Sequence, residues 1–145
     1  MRELSKAQVR QRLRRRGAAP EVADEVVASL VELGALNEGR LALAAARRET
    51  AIRGRGPVRA RLALKALGLD DAIVEAALAA TLEHVDVEAL LDRALEKRLR
   101  GVAAGPLDRQ TLRRLVAALI RQGFDAQAVM ARIRRRGSDL ADEES

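Results

Sequence analysis

The chain has 145 residues and a formal net charge of +6, with 48% apolar residues but a single aromatic one, Phe124. The abundant alanine and leucine favour helices, whereas the aromatic residues typical of strands are nearly absent. The lack of cysteine excludes disulfides, thiolate nucleophiles and cysteine-ligated zinc, and a single histidine, His84, excludes a histidine-based triad or a His-rich metal site.

Location and partner class follow from hydropathy and charge. No apolar run approaches the roughly 20 residues that span a bilayer, and the N-terminus, MRELSKAQVR, lacks the apolar segment of a secretory signal. The sequence therefore predicts a soluble cytoplasmic protein with no membrane contact.

The arginine excess of the chain predicts a polyanionic partner or an acidic protein surface. Alternatively, a GC-rich genome uses arginine for lysine, although this does not explain why the arginines cluster.

Local signals predict eight helices. Ser5 and Gln8 form a capping box at the start of the first helix, and Leu4 and Val9 occupy the positions of a hydrophobic staple. The other starts are marked by proline at the first helical position or by an N-capping Asn or Asp. They are Pro20, Asn37, Pro57, Asp70, Asp86, Asp108 and Asp125. Glycines predicted to end helices in a left-handed conformation are Gly17, Gly34, Gly68 and Gly123.

Apolar residues at helical spacing predict the buried faces. The second helix has Val22, Val26, Leu30 and Leu33, with Ala23 and Val27 beside them; the third Leu41, Ala44, Ala45 and Ile52; the fourth Val58, Leu62 and Ala66; the fifth Ile73, Val74, Ala77, Leu78 and Leu82; the sixth Val87, Leu90, Leu91, Ala94, Leu95 and Leu99; the seventh Leu112, Leu115, Val116, Leu119 and Ile120. Val129 and Ile133 anchor the eighth, which is expected to end before Gly137.

Three segments align on the stop glycines Gly17, Gly68 and Gly123, with a leucine four residues before each glycine. The repeat predicts an all-α protein of tandem three-helix units in an elongated, curved array, because two short helices cannot bury their stripes alone. The predicted divisions are unit 1 at 1–54, unit 2 at 55–104, a truncated unit 3 at 105–137, and a disordered acidic tail at 138–145.

The sequence contains no residue pattern that indicates catalysis or cofactor binding. His84 is alone and is expected to be exposed, and Asp70 with Asp71 is better explained by helix capping than by acid–base catalysis. None of the glycine-rich breaks precedes a Lys-Ser/Thr pair or follows a strand, so no phosphate loop is expected. We expect a binding protein without enzymatic activity, cofactor or metal.

Three segments in order carry a family resemblance: ALNEGRLALAAARRE at 35–49, GPVRARLALKALGLDDAIVEAAL at 56–78, and LRRLVAALIRQGFDAQAVMARI at 112–133. Together they resemble RecX, the bacterial regulator of the RecA recombinase, over nearly the whole chain. Departures from the family pattern include Glu38, Gly39 and Leu41 in the first segment, and Leu67 and Gln122 before two stop glycines. The resemblance implies a monomer that binds the RecA filament on single-stranded DNA and lowers strand exchange and ATP hydrolysis in recombination and SOS repair.

Four arginine clusters, at 10–16, 47–61, 93–100 and 132–136, are the positive features of the sequence. Each taken alone is explained equally well as a solvated helix face, but four clusters in repeated units favour a shared basic surface. The candidate partner-binding residues are Arg10, Arg14, Arg47, Arg48, Arg59, Arg61, Lys65, Arg134 and Arg135. Alternatives are direct DNA binding without RecA and a purely structural helical scaffold.

Overall fold

The computed structural model describes residues 3–102 and 106–144, with side chains described as far as Arg136. Within these ranges it consists of eight α-helices and no strands, which confirms the all-α prediction. They are α1 (Lys6–Arg15), α2 (Pro20–Glu32), α3 (Glu38–Arg47), α4 (Pro57–Ala66), α5 (Asp71–Leu82), α6 (Val87–Leu99), α7 (Arg109–Arg121) and α8 (Ala126–Glu144). A five-residue π-helical turn, Arg48–Ile52, continues α3.

Helix starts follow the predicted caps closely. Ser5 and Gln8 form the reciprocal capping box. The side chains of four further predicted caps accept hydrogen bonds from backbone N–H groups in the first turn, namely Asn37, Asp86, Asp108 and Asp125. Asp70 occupies the capping position of α5, but its side chain accepts no capping hydrogen bond. The predicted stop glycines Gly17, Gly34, Gly68 and Gly123 all have positive φ.

The buried face of α3 and of the turn that continues it differs from the prediction. Ile52 is 80% exposed and Ala44 is exposed, whereas Glu49 and Thr50 are buried. The π-helical turn accounts for the exposure of Ile52, because its wider i to i+5 spacing rotates the residues that follow relative to a regular helix. Ala44 precedes the turn, and α3 packs instead through Leu41, Ala42, Ala45 and Ala46. The Thr50 hydroxyl donates to the carbonyl of Ala46 at 2.9 Å, which satisfies this buried polar group.

Two predicted stripes, on α2 and α4, face solvent in part or in full. On α2, Val22 and Leu33 are exposed, while their neighbours Ala23 and Val27 are buried. On α4 all three predicted core residues, Val58, Leu62 and Ala66, are exposed, while Ala60 and Leu64 are fully buried. Both helices have apolar residues on more than one side, so spacing alone does not select the face that packs.

Two hydrophobic cores organise the chain, and each joins three consecutive helices. The first groups buried residues of α3, α4 and α5, together with Leu69. The second groups buried residues of α6, α7 and α8, together with Phe124. Helices α1 and α2 pack on each other, and the buried residues of this pair, Ala23 and Val27, lie on α2. The predicted unit boundaries fall one helix away from these packing groups, so the division of the chain into units stays a prediction.

Helix α8 is longer than expected. The sequence predicts an end before Gly137 and a disordered tail, but the helix continues through Gly137 to Glu144. An interior glycine costs only about 1 kcal/mol relative to alanine, and no proline follows it to stop the helix. No helix in the described ranges combines the length and apolar character needed to cross a membrane.

Candidate partner-binding surface

Two junctions between packing groups join residues at equivalent positions of the repeat. At the first, the hydroxyl of Ser5, the N-cap of α1, donates a hydrogen bond to the carbonyl of Leu67. Leu67 immediately precedes the stop glycine Gly68, and a Cβ added to Gly68 would lie 2.7 Å from the Cβ of Ala7. The N-terminus of α1 therefore rests against the end of α4.

At the second junction the N-cap of α4 takes the equivalent position. The N–H of Gly56 donates to the carbonyl of Gln122 at 3.0 Å, and the N–H of Val58 donates to the carbonyl of Gly123 at 3.1 Å. Gly56 lies twelve residues before Gly68, as Ser5 does before Gly17. In both junctions an N-cap residue donates to the carbonyl of the residue that precedes the aligned stop glycine of the following repeat, through the hydroxyl of Ser5 and through the backbone N–H of Gly56. The repeat predicted from the glycines therefore has a structural counterpart.

A buried carboxylate holds the turn that forms the second junction. Glu49 has a side chain only 7% exposed, and its two oxygens accept hydrogen bonds from Arg53 and Arg55, each at 2.8 Å. The N–H of Arg55 donates to the carbonyl of Glu49 at 2.9 Å. The amide of Gln122 donates to the carbonyl of Gly54 at 2.9 Å. The chain between the π-helical turn and α4 is therefore fixed from both sides.

Arg10 and Arg61, two of the predicted partner-binding residues, are equivalent by repeat and form equivalent intramolecular pairs. Arg10 contacts Asp24 at 3.0 Å, and Arg61 contacts Glu75 at 2.7 and 3.2 Å. Each arginine lies seven residues before its stop glycine, and each partner lies fourteen residues further along on the next helix. Hydrogen bonding to Arg61 lowers the pKa of Glu75, and the same bond raises the pKa of Arg61. Both arginines thus join two helices of the protein itself.

The remaining predicted residues divide into paired and exposed groups. Lys65 lies 3.8 Å from Asp71. Two arginines of the fourth cluster that were not selected, Arg132 and Arg136, pair with Asp92 and Glu96 of α6. Hydrogen bonding to Arg136 lowers the pKa of Glu96. The exposed residues, which form no ion pair with a carboxylate among the described side chains, are Arg14, Arg47, Arg48, Arg59, Arg134 and Arg135.

The second junction brings the predicted residue Arg59 together with two arginines that the sequence analysis did not select, Arg98 and Arg121. The guanidinium of Arg59 donates to the carbonyl of Arg121 at 3.2 Å, and that of Arg98 donates to the side-chain oxygen of Gln122 at 3.0 Å. We call Arg59, Arg98 and Arg121 the junction cluster; all three are exposed and lack an ion pair with any described carboxylate. The packing of α6 against α7 and the junction of Gly56 with Gln122 and Gly123 bring the three helices together. These contacts are long-range, so sequence spacing does not predict the cluster.

The described residues contain no group of three or more His, Cys, Asp or Glu side chains placed to hold a metal ion. His84 is exposed, as expected. Asp108 accepts hydrogen bonds from the backbone and side chain of Thr111, and these lower its pKa, as is typical of a helix-capping carboxylate.

Comparisons with known proteins identify the family. A family model described as RecX, first three-helix domain, matches residues 1–30. A regulatory protein RecX from Halorhodospira halophila is 34% identical over 130 residues, which cover 90% of this chain and 78% of that protein. The chain belongs to the RecX family. A regulatory protein RecX from Xanthomonas campestris is 36% identical over 128 residues, covering 88% of this chain and 76% of the relative.

Solved RecX structures share the fold. A crystal structure of RecX from Lactobacillus salivarius has a TM-score of 0.73 at 20% identity, covering 92% of this chain and 85% of that one. A second RecX crystal structure has a TM-score of 0.74 at 17% identity and covers 87% of this chain and 61% of that chain. The segments that carried the RecX resemblance correspond here to α3 with its π-helical turn, to α4 with α5, and to α7 with α8.

Proposed function

We propose that the protein is a non-catalytic regulator that binds the RecA nucleoprotein filament and limits its growth or promotes its disassembly. RecA strand exchange and ATP hydrolysis then fall. Membership of the RecX family carries this proposal, and the naming of the relatives as regulatory proteins supports a role without catalysis. The proposal places the protein in the cytoplasm, as a monomer that needs no cofactor.

Ion pairing decides which arginines are best placed to contact the filament. Arg14, Arg47, Arg48, Arg59, Arg134 and Arg135 present exposed guanidinium groups that no described carboxylate neutralises. Arg10, Arg61 and Lys65 already contact acidic side chains of the protein, so recruiting them would first require breaking those contacts. We therefore assign partner binding to the first group and give the second group a structural role.

The experiment compares Arg59→Glu with Arg61→Ala in assays of RecA binding and RecA ATPase inhibition. Arg61 is the matched control, because it lies two positions from Arg59 on the same helix but is paired with Glu75. We expect Arg59→Glu to weaken inhibition about tenfold, as loss of an interface arginine commonly does. Arg61→Ala, which removes the pair without adding a charge, should inhibit like the wild type. Unchanged inhibition by Arg59→Glu would contradict the assignment.

Direct DNA binding without RecA is the second candidate, and the junction cluster is the observation that favours it. Three exposed arginines from three helices can contact a phosphate backbone, and affinity would then fall steeply with salt as counterions are released. The near absence of aromatic residues disfavours stacking on single-stranded bases. A salt series on bare single-stranded DNA, alongside the RecA assay, separates the two functions.

A further inference from the structure

Helix α4 has a row of apolar side chains on the face that points away from the core. Val58 is 47% exposed and Leu62 is 59% exposed, and Ala66 is also exposed. Residues four apart lie above one another on a helix, so these three form one continuous line, which we call the α4 stripe. The opposite face of α4 carries the fully buried Ala60 and Leu64.

The α4 stripe differs from the other exposed apolar residues of the chain. Helices α3 and α5 and the π-helical turn pack on α4, but in the described structure they leave the stripe exposed. Val22 and Val31 on α2 are also exposed, but they are nine residues apart, which places them on opposite sides of that helix. Isolated exposed apolar residues are ordinary, whereas contiguous exposed apolar residues are a feature of interaction surfaces.

The charge beside the stripe indicates the kind of partner. Helix α4 carries three cations and no carboxylate. Arg61 is held by Glu75, so Arg59 is the arginine of α4 that remains available next to Val58. An apolar centre with arginine as its charged residue is typical of protein–protein interfaces. A phosphate backbone offers nothing to Leu62, and α4 has no aromatic side chain on which a base could stack.

We propose that the α4 stripe, together with Arg59, docks on an acidic protein surface that presents apolar side chains at its centre. This inference rests on the proposed function and makes it more specific: the stripe contacts the protein subunits of the filament, and the DNA is contacted elsewhere. The aliphatic side chains supply the binding energy, and Arg59 pairs with a carboxylate at the border of the contact.

The test uses the double variant Val58→Gln with Leu62→Gln in the full chain. Glutamine is a good helix former, so the change removes apolar surface without opposing the helix, and circular dichroism checks that helicity is unchanged. Val22→Gln is the matched control, because Val22 has a similar exposure on another helix. Binding is measured to RecA filaments on single-stranded DNA by co-sedimentation and to bare single-stranded DNA by fluorescence anisotropy.

We expect the double variant to bind the filament at least about tenfold more weakly, while its affinity for bare DNA and the behaviour of Val22→Gln stay at wild-type values. Filament binding equal to that of the wild type would overturn the docking surface and leave the proposed function standing. An equal loss of bare-DNA affinity would also overturn it, because the stripe would then contact nucleic acid. Absence of filament binding by the wild-type protein would overturn both.

Discussion

Single residues that look alike in the sequence have different roles in the structure, as the three aligned stop glycines demonstrate. Gly17, Gly68 and Gly123 all have positive φ, at 91°, 80° and 111°. A Cβ at Gly17 would meet nothing within 4 Å, whereas one at Gly123 would lie 2.7 Å from the backbone nitrogen of Arg59 and from the backbone oxygen of Gly56. The sequence predicted the conformation of all three, but only the fold reveals which of them are also packed.

Alanine substitutions should therefore separate conformational strain from packing. Gly17→Ala is expected to cost about 1–2 kcal/mol, the penalty of a left-handed conformation for a residue with a Cβ. Gly123→Ala should cost more, because the backbone of α4 must also shift, and Gly68→Ala should fall between them, since Ala7 provides a side-chain contact. Urea denaturation of the three variants measures the order. Equal losses would mean that the junctions do not depend on glycine.

Glu49 is a second residue whose role only the fold reveals, because a carboxylate inside a helical segment gives no sign that it will be buried. We expect Glu49→Gln to lower the free energy of unfolding by about 1–3 kcal/mol, since hydrogen bonds to both arginines lose their charge assistance. The loss should stay below that of a fully buried pair, because the side chains of Arg53 and Arg55 are 45% and 30% exposed. Chemical denaturation, with the exposed Glu21→Gln as control, measures this. A change no larger than that of the control would contradict a stabilising role.

At the scale of helices, the starts and most stops could be predicted from the sequence, although the end of α8 could not. The packed faces of α5 and α6 were also predicted correctly, but those of α3 and α4 were not. Capping is local chemistry between residues about three positions apart, so Ser5, Asn37 and Asp86 identify helix starts directly. The packed face depends on neighbouring helices and on regular winding. The π-helical turn therefore displaced Ile52 from its predicted buried position, and the two apolar sides of α4 led to the wrong choice for Val58 and Leu62.

The pair between α4 and α5 makes stability depend on pH. The pKa of Glu75 is lowered in the folded state by Arg61, so its contribution is present above the ordinary carboxyl pKa and is lost as pH falls through the lowered value. Glu75→Gln removes this contribution, so the variant should lose less stability than the wild type between neutral pH and about pH 3. Urea midpoints at the two pH values measure the difference, with the exposed Glu83→Gln as control. Parallel losses in wild type and Glu75→Gln would argue against the pair.

At the scale of the whole molecule, the predicted three-helix units and the observed packing groups divide the chain at different helices. The stop glycines correctly indicated recurring geometry, since each junction joins an N-cap to the residue before a stop glycine. Composition and periodicity could not predict with which helices α3 packs. It lies between α2 and α4 in sequence, but it packs most extensively against α5, which is a long-range contact. The candidate surface was predictable only in part, since carboxylates of neighbouring helices neutralise Arg10 and Arg61.

The attachment of α1 and α2 to the first core depends on few contacts. Ser5 donates to Leu67, the N–H of Lys6 donates to Glu38 at 3.3 Å, and Arg40 pairs with Glu3. Neither core cluster includes a residue of α1 or α2. Local opening is easiest where few apolar contacts must be broken. We therefore expect α1 and α2 to open and exchange backbone hydrogens before the two cores do.

Ser5→Ala tests this arrangement against Asp108→Ala as a matched control. Each variant removes a helix cap, at a cost of about 1 kcal/mol, but only Ser5 also bridges two packing groups through Leu67. In hydrogen exchange followed by mass spectrometry, Ser5→Ala should speed exchange throughout α1 and α2 and leave α6 and α7 unchanged. Asp108→Ala should affect only the first turn of α7. If exchange in Ser5→Ala rises only in the first turn of α1, the capping box alone accounts for the role of Ser5, and the junction adds no stability to the whole molecule.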